Sequence, residues 1–104
     1  MDELAKLFKA VSDKNRLLIV LAVYQHGELC SCDFSDFLGI TPPSTSKHLK
    51  ILLENKILNS RKSGTWTHYS LDKNNELINV FFKDHIFTED NLKLVAGIES
   101  AKSC

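Results

Sequence analysis

Two cysteines separated by a single residue, Cys30 and Cys32, are the part of this sequence best suited to chemistry. They stand in the segment ELCSCD, and the third cysteine of the 104-residue chain is Cys104. Thiolate sulfur is the ligand that soft metal and metalloid ions prefer. The spacing is one residue shorter than the Cys-x-x-C spacing of redox motifs and zinc sites. The pair therefore predicts a thiolate site for a soft ion, with Cys104 of the same or a partner subunit as a further sulfur ligand.

The one-residue spacing places a condition on the backbone at the pair. Residues i and i+2 of an α-helix point about 200° apart, so two cysteines on intact helix cannot reach one ion. Cys30 and Cys32 can share an ion where the backbone is not helical or where a helix unwinds. That condition suits a sensor, because ion binding would then change the local backbone. The alternatives are that the pair consists of small buried apolar residues and that Cys104 is a chain end without a role.

The composition is that of one ordinary globular domain, with 43% hydrophobic and 25% charged residues. The longest apolar run, residues 17–24, is far shorter than the roughly 18 residues that a membrane span needs. The N-terminus, Met-Asp-Glu-Leu, is acidic and lacks the apolar core of a secretory signal. We therefore expect a cytoplasmic protein without a membrane partner, in which thiolate chemistry is favoured over a disulfide framework.

Positive charge is concentrated in one segment although the chain has no net charge. Residues 41–70 contain five basic residues and one acidic residue, Glu54, so this segment carries +4 and the rest of the chain −4. The five are Lys47, Lys50, Lys56, Arg61 and Lys62. A local basic surface on a neutral chain is typical of nucleic-acid binding. A solvated lysine-rich surface is the alternative.

Hydrophobic spacing predicts four helices in the first half of the chain. The first carries an apolar stripe at positions i, i+3, i+4 and i+7, formed by Leu4, Leu7, Phe8 and Val11. The second, KNRLLIVLAVYQH, is capped by Asp13, stopped by Gly27, and apolar nearly all round, which predicts a central position. The third, SCDFSDFLG, is short. The fourth, PPSTSKHLKILLEN, is capped by Thr41 and has both prolines in its first turn, where missing N–H groups cost little.

The second half predicts a hairpin and terminal helices. Two β-rich runs, KILNSR and TWTHYSL, flank the turn KSG. Helical spacing returns in NNELINVFFKDHIF and, after the cap Thr88, in EDNLKLVAGIES. This order predicts a mainly α fold with a β-hairpin wing, a winged helix-turn-helix that forms a single domain over residues 1–104. Because a domain of this size buries only a modest core, we expect a dimer.

Four segments of the chain resemble the ArsR/SmtB family of winged-helix metal-responsive repressors. They are LFKAVSDKNRLLIV, GELCSCDF, LGITPPSTSKHLKIL and SRKSGTWTHYSL, and they cover roughly residues 5–71 in the family's order and spacing. Each segment alone is a modest signal, but the four together are highly specific. The resemblance implies a homodimer, joined through terminal helices 2–11 and 74–100, that binds a partly palindromic operator and is released by a metal or metalloid.

The ELCSCD segment resembles the metal-box variant of that family, found in sensors of arsenite, antimonite and soft divalent ions. We therefore expect a repressor that is released from DNA by trivalent arsenic or antimony, As(III) or Sb(III), as inducer, without a catalytic cofactor. The ligands are predicted to be Cys30, Cys32 and Cys104, with His26 as a spare. A cadmium or lead sensor is one alternative. A redox or persulfide sensor, in which Cys104 pairs covalently with one of the other cysteines, is another.

Three departures from the family pattern bear on the inducer. Arsenic sensors commonly have another cysteine three residues after the second, where this chain has Ser35. Cadmium and lead sensors take extra cysteines from an N-terminal extension that this sequence lacks. The zinc sensors' last helix pairs Asp-x-His with a later histidine or glutamate, whereas Asp84 and His85 are adjacent here and no histidine follows. A zinc-type site is therefore not expected.

The predicted DNA-binding residues lie on the fourth helix and in the wing. Lysines mostly contact backbone phosphates, serines contact phosphates or base edges, and helix N-termini suit phosphate. The predicted set is Pro43, Ser44, Ser46, Lys47, Lys50, Arg61 and Lys62.

A small thiol enzyme, such as an arsenate reductase, is the alternative from a different class of function. Its phosphate loop would need Cys-x5-Arg, but the corresponding positions hold Asp36 and Leu38. We therefore expect no enzyme. A DNA-binding domain with inert cysteines is the remaining alternative.

Overall fold

The computed structural model describes residues 2–98. The first part of the chain forms α1 Asp2–Val11, α2 Lys14–His26, β1 Leu29–Cys30, α3 Ser31–Leu38 and α4 Pro42–Glu54. The second part forms β2 Leu58–Ser63, β3 Trp66–Leu71, a π-type helix Ile78–Ile86, α5 Glu89–Leu92 and a 3-10 turn Lys93–Val95. Within residues 2–98, no helix has the length and apolar character needed to cross a membrane. The winged helix-turn-helix predicted from the sequence is confirmed.

Helix α2 is the central element of the hydrophobic core. Its residues 19–23 are all buried, as expected for a helix that is apolar around most of its circumference. The carboxylate of Asp13 accepts a hydrogen bond from the backbone N–H of Arg16 at 3.1 Å and so caps the helix. Gly27 ends it with a φ of +85°, a conformation that glycine adopts without steric cost. Both predicted ends of α2 are confirmed.

Helices α3 and α4 form the helix-turn-helix unit. Gly39 ends α3 in the left-handed conformation, and the Thr41 hydroxyl caps α4 by accepting from the N–H of Ser44 at 3.2 Å. The hydroxyl oxygens of Ser35 and Thr45 lie 2.7 Å apart and join the two helices by a hydrogen bond. The caps set the ends of the two helices, and this hydrogen bond adds to the packing of Phe34 and Leu49 in the core.

The sheet has three antiparallel strands in the order β1-β3-β2. The predicted turn KSG is placed too early, because Lys62 and Ser63 pair with β3 and the strands reverse at Gly64 and the residue after it. Strand β1 was not predicted, since two residues are too few to show a period of two. It places Cys30 directly opposite His68 of β3.

The C-terminal helices differ from the prediction. Helical turns begin at Glu76, but residues 78–86 have wide π-type turns, and the N–H of Phe87 donates to the carbonyl of Phe82 at 2.7 Å. The predicted helical segment after the cap Thr88 is confirmed in part: α5 ends at Leu92, and a 3-10 turn takes its place up to Val95. That tighter turn aligns positions three apart, and both Val95 and Ile98 are buried.

The N-cap of α2 should contribute measurably to stability. We expect Asp13→Ala to lower the free energy of unfolding by about 1 kcal/mol at pH 7, whereas Asp13→Asn, which keeps a capping oxygen, should lose less. The backbone hydrogen bond from Arg16 lowers the pKa of the Asp13 carboxyl. The charged contribution is therefore present above the ordinary aspartate pKa and lost as the pH falls through the lowered value.

Urea unfolding of these variants at pH 7 and at pH 3, at one protein concentration, checks this expectation. Asp36→Ala, which removes an exposed carboxylate from α3, is the matched control. An Asp13→Ala protein as stable as the control at pH 7 would show that the cap contributes nothing.

Candidate functional site

The cysteine pair lies across a junction between a strand and a helix. Cys30 is the last residue of β1 and the N-cap of α3, with an extended backbone at φ −91° and ψ 162°. Cys32 is the second residue of α3 and is half-buried. Because Cys30 is extended, the 200° separation of two helical positions does not apply to the pair. The backbone condition that we derived from the spacing is met without unwinding a helical turn.

The Cys30 side chain is buried, with 7% of its surface exposed. Its sulfur lies 3.4 Å from Nδ1 of His68, and its backbone N–H donates to the Asp33 carboxylate at 2.8 Å. Burial, with the negative charges of Asp33 and Glu28, raises the pKa of the Cys30 thiol. The group is therefore a thiol at neutral pH and must give up its proton when its sulfur bonds to an ion.

His68 is a site residue that the sequence prediction missed. It stands opposite Cys30 on one side and opposite Arg61 on the other, because β3 is the middle strand. Directly opposed residues of neighbouring strands place their side chains on the same face of the sheet. Recognising GELC as a third strand would have identified His68, but the segment is too short to signal a strand by itself.

A salt bridge completes this row of side chains. Arg61 donates from Nε and Nη2 to the two carboxylate oxygens of Glu28, at 2.8 and 2.7 Å. The Arg61 hydrogen bonds lower the pKa of the Glu28 carboxyl. The oxygen that accepts from Nη2 also lies 3.8 Å from Nδ1 of His68. The row runs from the cysteine pair to the wing through Cys30, His68, Glu28 and Arg61.

The assignment of Cys30, Cys32 and Cys104 as metal ligands stays a prediction. Between residues 2 and 98, no group of three or more histidine, cysteine, aspartate or glutamate side chains is placed to hold a metal ion. Cys30 and Cys32 lie close together in sequence at the strand–helix junction, and sulfur donors fit a soft ion. The third predicted ligand, Cys104, lies outside the described residues. His26, the spare ligand, is exposed at the end of α2.

The predicted DNA-binding residues of α4 form one surface, whereas those of the wing do not. Ser44 is half-buried at the start of α4, and four further residues of the helix are exposed: Pro43, Ser46, Lys47 and Lys50. Arg61 and Lys62 are both exposed, but adjacent residues of a strand point to opposite faces. Arg61 turns towards Glu28. Of the two wing residues, Lys62 therefore points away from the face that carries Glu28.

The buried side of α4 is tied to the start of α2. Nη1 of Arg16 lies 3.1 Å from Nδ1 of His48, and Nε of Arg16 donates to the Ala10 carbonyl at 2.6 Å. The Asp13 carboxylate approaches the same Nδ1 at 3.9 Å. Because a guanidinium has N–H donors and no acceptor, Nδ1 of His48 is the acceptor in its contact with Arg16. These contacts give the recognition helix a fixed orientation on the core.

Comparison with known proteins gives a consistent result. Residues 13–60 match the family model described as bacterial regulatory protein, arsR family. The arsenical resistance operon repressor of Escherichia coli K12 is 46% identical over 66 residues, which are 64% of this chain and 56% of that protein. The repressor of the same description from Bacillus subtilis 168 is 35% identical over 79 residues, 76% of this chain and 73% of that one. This chain thus spans little more than half of the first relative and most of the second.

A solved structure shows the same fold. It is described as the homodimeric winged helix-turn-helix DNA-binding domain of a possible ArsR-family regulator from Mycobacterium bovis. It is 22% identical, with a TM-score of 0.63 and 82% of each chain covered. The relatives are regulators of transcription and not enzymes, which agrees with the prediction from the sequence. The chain is a member of the arsR family of bacterial regulatory proteins.

Proposed function

We propose that this protein is a transcriptional repressor that binds operator DNA as a homodimer and releases it when trivalent arsenic or antimony bonds to its cysteine sulfurs. The observation that carries the proposal is the position of Cys30 and Cys32 at the strand–helix junction that opens the helix-turn-helix unit. Operator binding would place the protein in the cytoplasm. The names of the two arsenical resistance repressors support the choice of inducer.

The position of the pair supplies a physical link between inducer and DNA. Cys30 belongs to the sheet and Cys32 to α3, so bonding both sulfurs to one atom fixes α3 relative to β1. Helix α3 is joined to the recognition helix through the hydrogen bond between Ser35 and Thr45. A change at the start of α3 is therefore transmitted to α4. A coupling of about 3 kcal/mol would weaken operator binding by about 150-fold.

A protonated Cys30 thiol favours a metalloid inducer over a divalent cation. A divalent cation such as cadmium must displace the proton of each thiol that it binds, and the raised pKa of Cys30 adds to that cost. Arsenous acid carries hydroxyl groups, and each thiol that replaces one gives its proton to the departing hydroxide, which leaves as water. The exchange consumes and releases no proton. Burial of Cys30 therefore disfavours cadmium or lead more than arsenic or antimony.

The exposed residues of α4 are our proposed contacts with the operator. Lys47 and Lys50 are one helical turn apart and exposed, opposite the buried Leu49 and Leu52. Lysines at such positions reach phosphates, while Ser46, which precedes Lys47 in the helix, can reach base edges. Lys62 of the wing would contact flanking phosphate.

An exposed apolar surface is our proposed dimer interface. Leu4 and Phe8 of α1 and Val80 of the π-type helix are 43%, 40% and 63% exposed. The rings of Phe8 and Phe81 pack edge to face at 5.8 Å, so the two terminal elements form one continuous surface. A surface of this kind is costly to leave in water, and a second copy would cover it.

The first prediction concerns the inducer site. Cys30→Ser and Cys32→Ser proteins should bind operator DNA as the wild type does but should not release it when arsenite is added, because each is missing one sulfur ligand. Cys104→Ser should need more arsenite but still respond. Fluorescence anisotropy of labelled operator, titrated with arsenite, antimonite, cadmium and lead, measures the response.

Three results would contradict this proposal. A normal arsenite response in either serine variant would show that Cys30 and Cys32 only pack in the structure and do not bind the inducer. Release by cadmium alone would make the protein a cadmium sensor. Release by peroxide or persulfide, with a covalent link to Cys104 in the mass spectrum, would make it a redox sensor.

The second prediction concerns DNA. Lys47→Ala and Lys50→Ala should each weaken operator binding, because a lysine that neutralises a phosphate releases counterions from the DNA. The slope of log K against log salt should become shallower by about one for each phosphate that the variant no longer binds. Lys93→Ala, which removes an exposed lysine from the C-terminal region, is the control. The assignment fails if the double variant keeps the wild-type affinity and slope.

The third prediction concerns assembly. The chain should sediment as a dimer at micromolar concentration with or without DNA, because its exposed apolar surface needs a partner. Phe8→Glu, which places a charge at the centre of that surface, should shift the protein towards monomer, whereas Lys9→Glu on the same helix should not. A wild-type protein that is monomeric at that concentration would exclude this interface.

A further inference from the structure

Two atoms in the row Cys30, His68, Glu28 and Arg61 each make two contacts. Nδ1 of His68 lies 3.4 Å from the sulfur of Cys30 and 3.8 Å from Oε1 of Glu28. That same Oε1 accepts from Nη2 of Arg61 at 2.7 Å. One ring nitrogen cannot make a good hydrogen bond to both of its neighbours. A change in the contact of Cys30 with His68 therefore alters the competition for the Glu28 carboxylate.

We propose that Glu28 is a positioning residue which holds the wing for operator binding through Arg61 and gives up that contact when Cys30 bonds to the inducer. This inference rests on the proposed function. In the tautomer that carries its proton on Nδ1, His68 donates to the Cys30 sulfur. Once that sulfur is bonded to the inducer, the same N–H turns to Glu28 and competes with Arg61. Strand β2 then stays paired with β3 but loses its side-chain salt bridge to the residue that precedes β1.

The geometry of the salt bridge favours a role in holding the wing. Arg61 belongs to β2, the outer strand, and reaches across the middle strand to a residue that precedes β1. Two parallel N–H···O bonds fix the direction of the guanidinium as well as its distance. The Arg61 side chain is 59% exposed, so simple stabilisation of the fold by this pair should be small. Its effect should be on the position of the wing.

Glu28→Gln provides a test in which the positioning role and simple electrostatics predict opposite changes in operator affinity. Removing a negative charge near the basic surface would by itself strengthen DNA binding. If Glu28 positions the wing, the variant should instead bind the operator about threefold or more weakly than the wild type without inducer. Glu54→Gln is the matched control, because it removes an exposed carboxylate from the basic segment 41–70. It should bind the operator as well as the wild type or more tightly. Operator affinity for Glu28→Gln equal to or above that of the control overturns the proposal.

Arg61→Lys tests the same salt bridge while keeping the charge. Lysine cannot form the bidentate pair, so this variant should reproduce the weaker operator binding of Glu28→Gln. The double variant should be no weaker than either single variant, because both remove one interaction. Additive effects on operator affinity would show that Arg61 and Glu28 act separately.

The response to inducer separates this inference from the proposed function. The measured quantity is the ratio of operator affinities without and with arsenite. In Glu28→Gln, Arg61→Lys and His68→Phe, this ratio should fall by about threefold or more, while arsenite binding to the DNA-free protein, followed by ultraviolet absorption of the arsenic–sulfur bonds, is retained. If the wild type responds to neither arsenite nor antimonite, the proposed function fails. If it responds and the three variants keep its ratio, this inference alone fails.

Discussion

The pairing of β1 with β3 is the constraint on which the site depends. This strand has two residues, yet it determines that Cys30 is extended, that it faces His68 and that α3 begins immediately after it. Without that pairing, the cysteine pair would lie in a loop or at a helix end, and its sulfurs would have no fixed relation to the wing. The extended residue at the junction is also what allows two cysteines at this spacing to face one ion.

Hydrogen bonds in the rest of the fold connect this junction to α4, whose exposed residues are the proposed DNA contacts. Ser35 stands where arsenic sensors commonly have a further cysteine, and in this protein its hydroxyl joins α3 to Thr45 of the recognition helix. On the other side of the recognition helix, His48 contacts Arg16, which is itself bound to the end of α1. The helix is thus held between the element that carries the cysteines and the element at the centre of the core. Because α4 is held on both sides, we expect it to move as a rigid body when α3 moves.

Acidic side chains near the cysteines and the basic side chains of α4 lie in different parts of the domain. The acidic groups nearest the cysteines, Glu28 and Asp33, are engaged by Arg61 and by the Cys30 backbone. Burial raises the pKa of the Cys30 thiol, and the negative charges of these two groups raise it further. Lys47 and Lys50 of α4 are exposed. A chain with no net charge can therefore place acidic groups beside the Cys30 thiol and lysines on the exposed side of α4.

The sequence by itself determined the features that depend on neighbouring residues. Asp13, Thr41 and Thr88 act as the predicted N-caps, and Gly27 and Gly39 end their helices, since caps and stops are satisfied within a few residues. The winged helix-turn-helix, the buried α2 and the exposed lysines followed from hydrophobic spacing. Tertiary structure decided the rest. Strand β1 exists because β3 supplies its hydrogen bonds, and His68 and Arg61 reach the cysteine site through pairings between residues more than thirty positions apart. The π-type helix and the 3-10 turn replaced the predicted regular helices because burial of Phe82, Val95 and Ile98 against the core outweighed the local preference for α-helix.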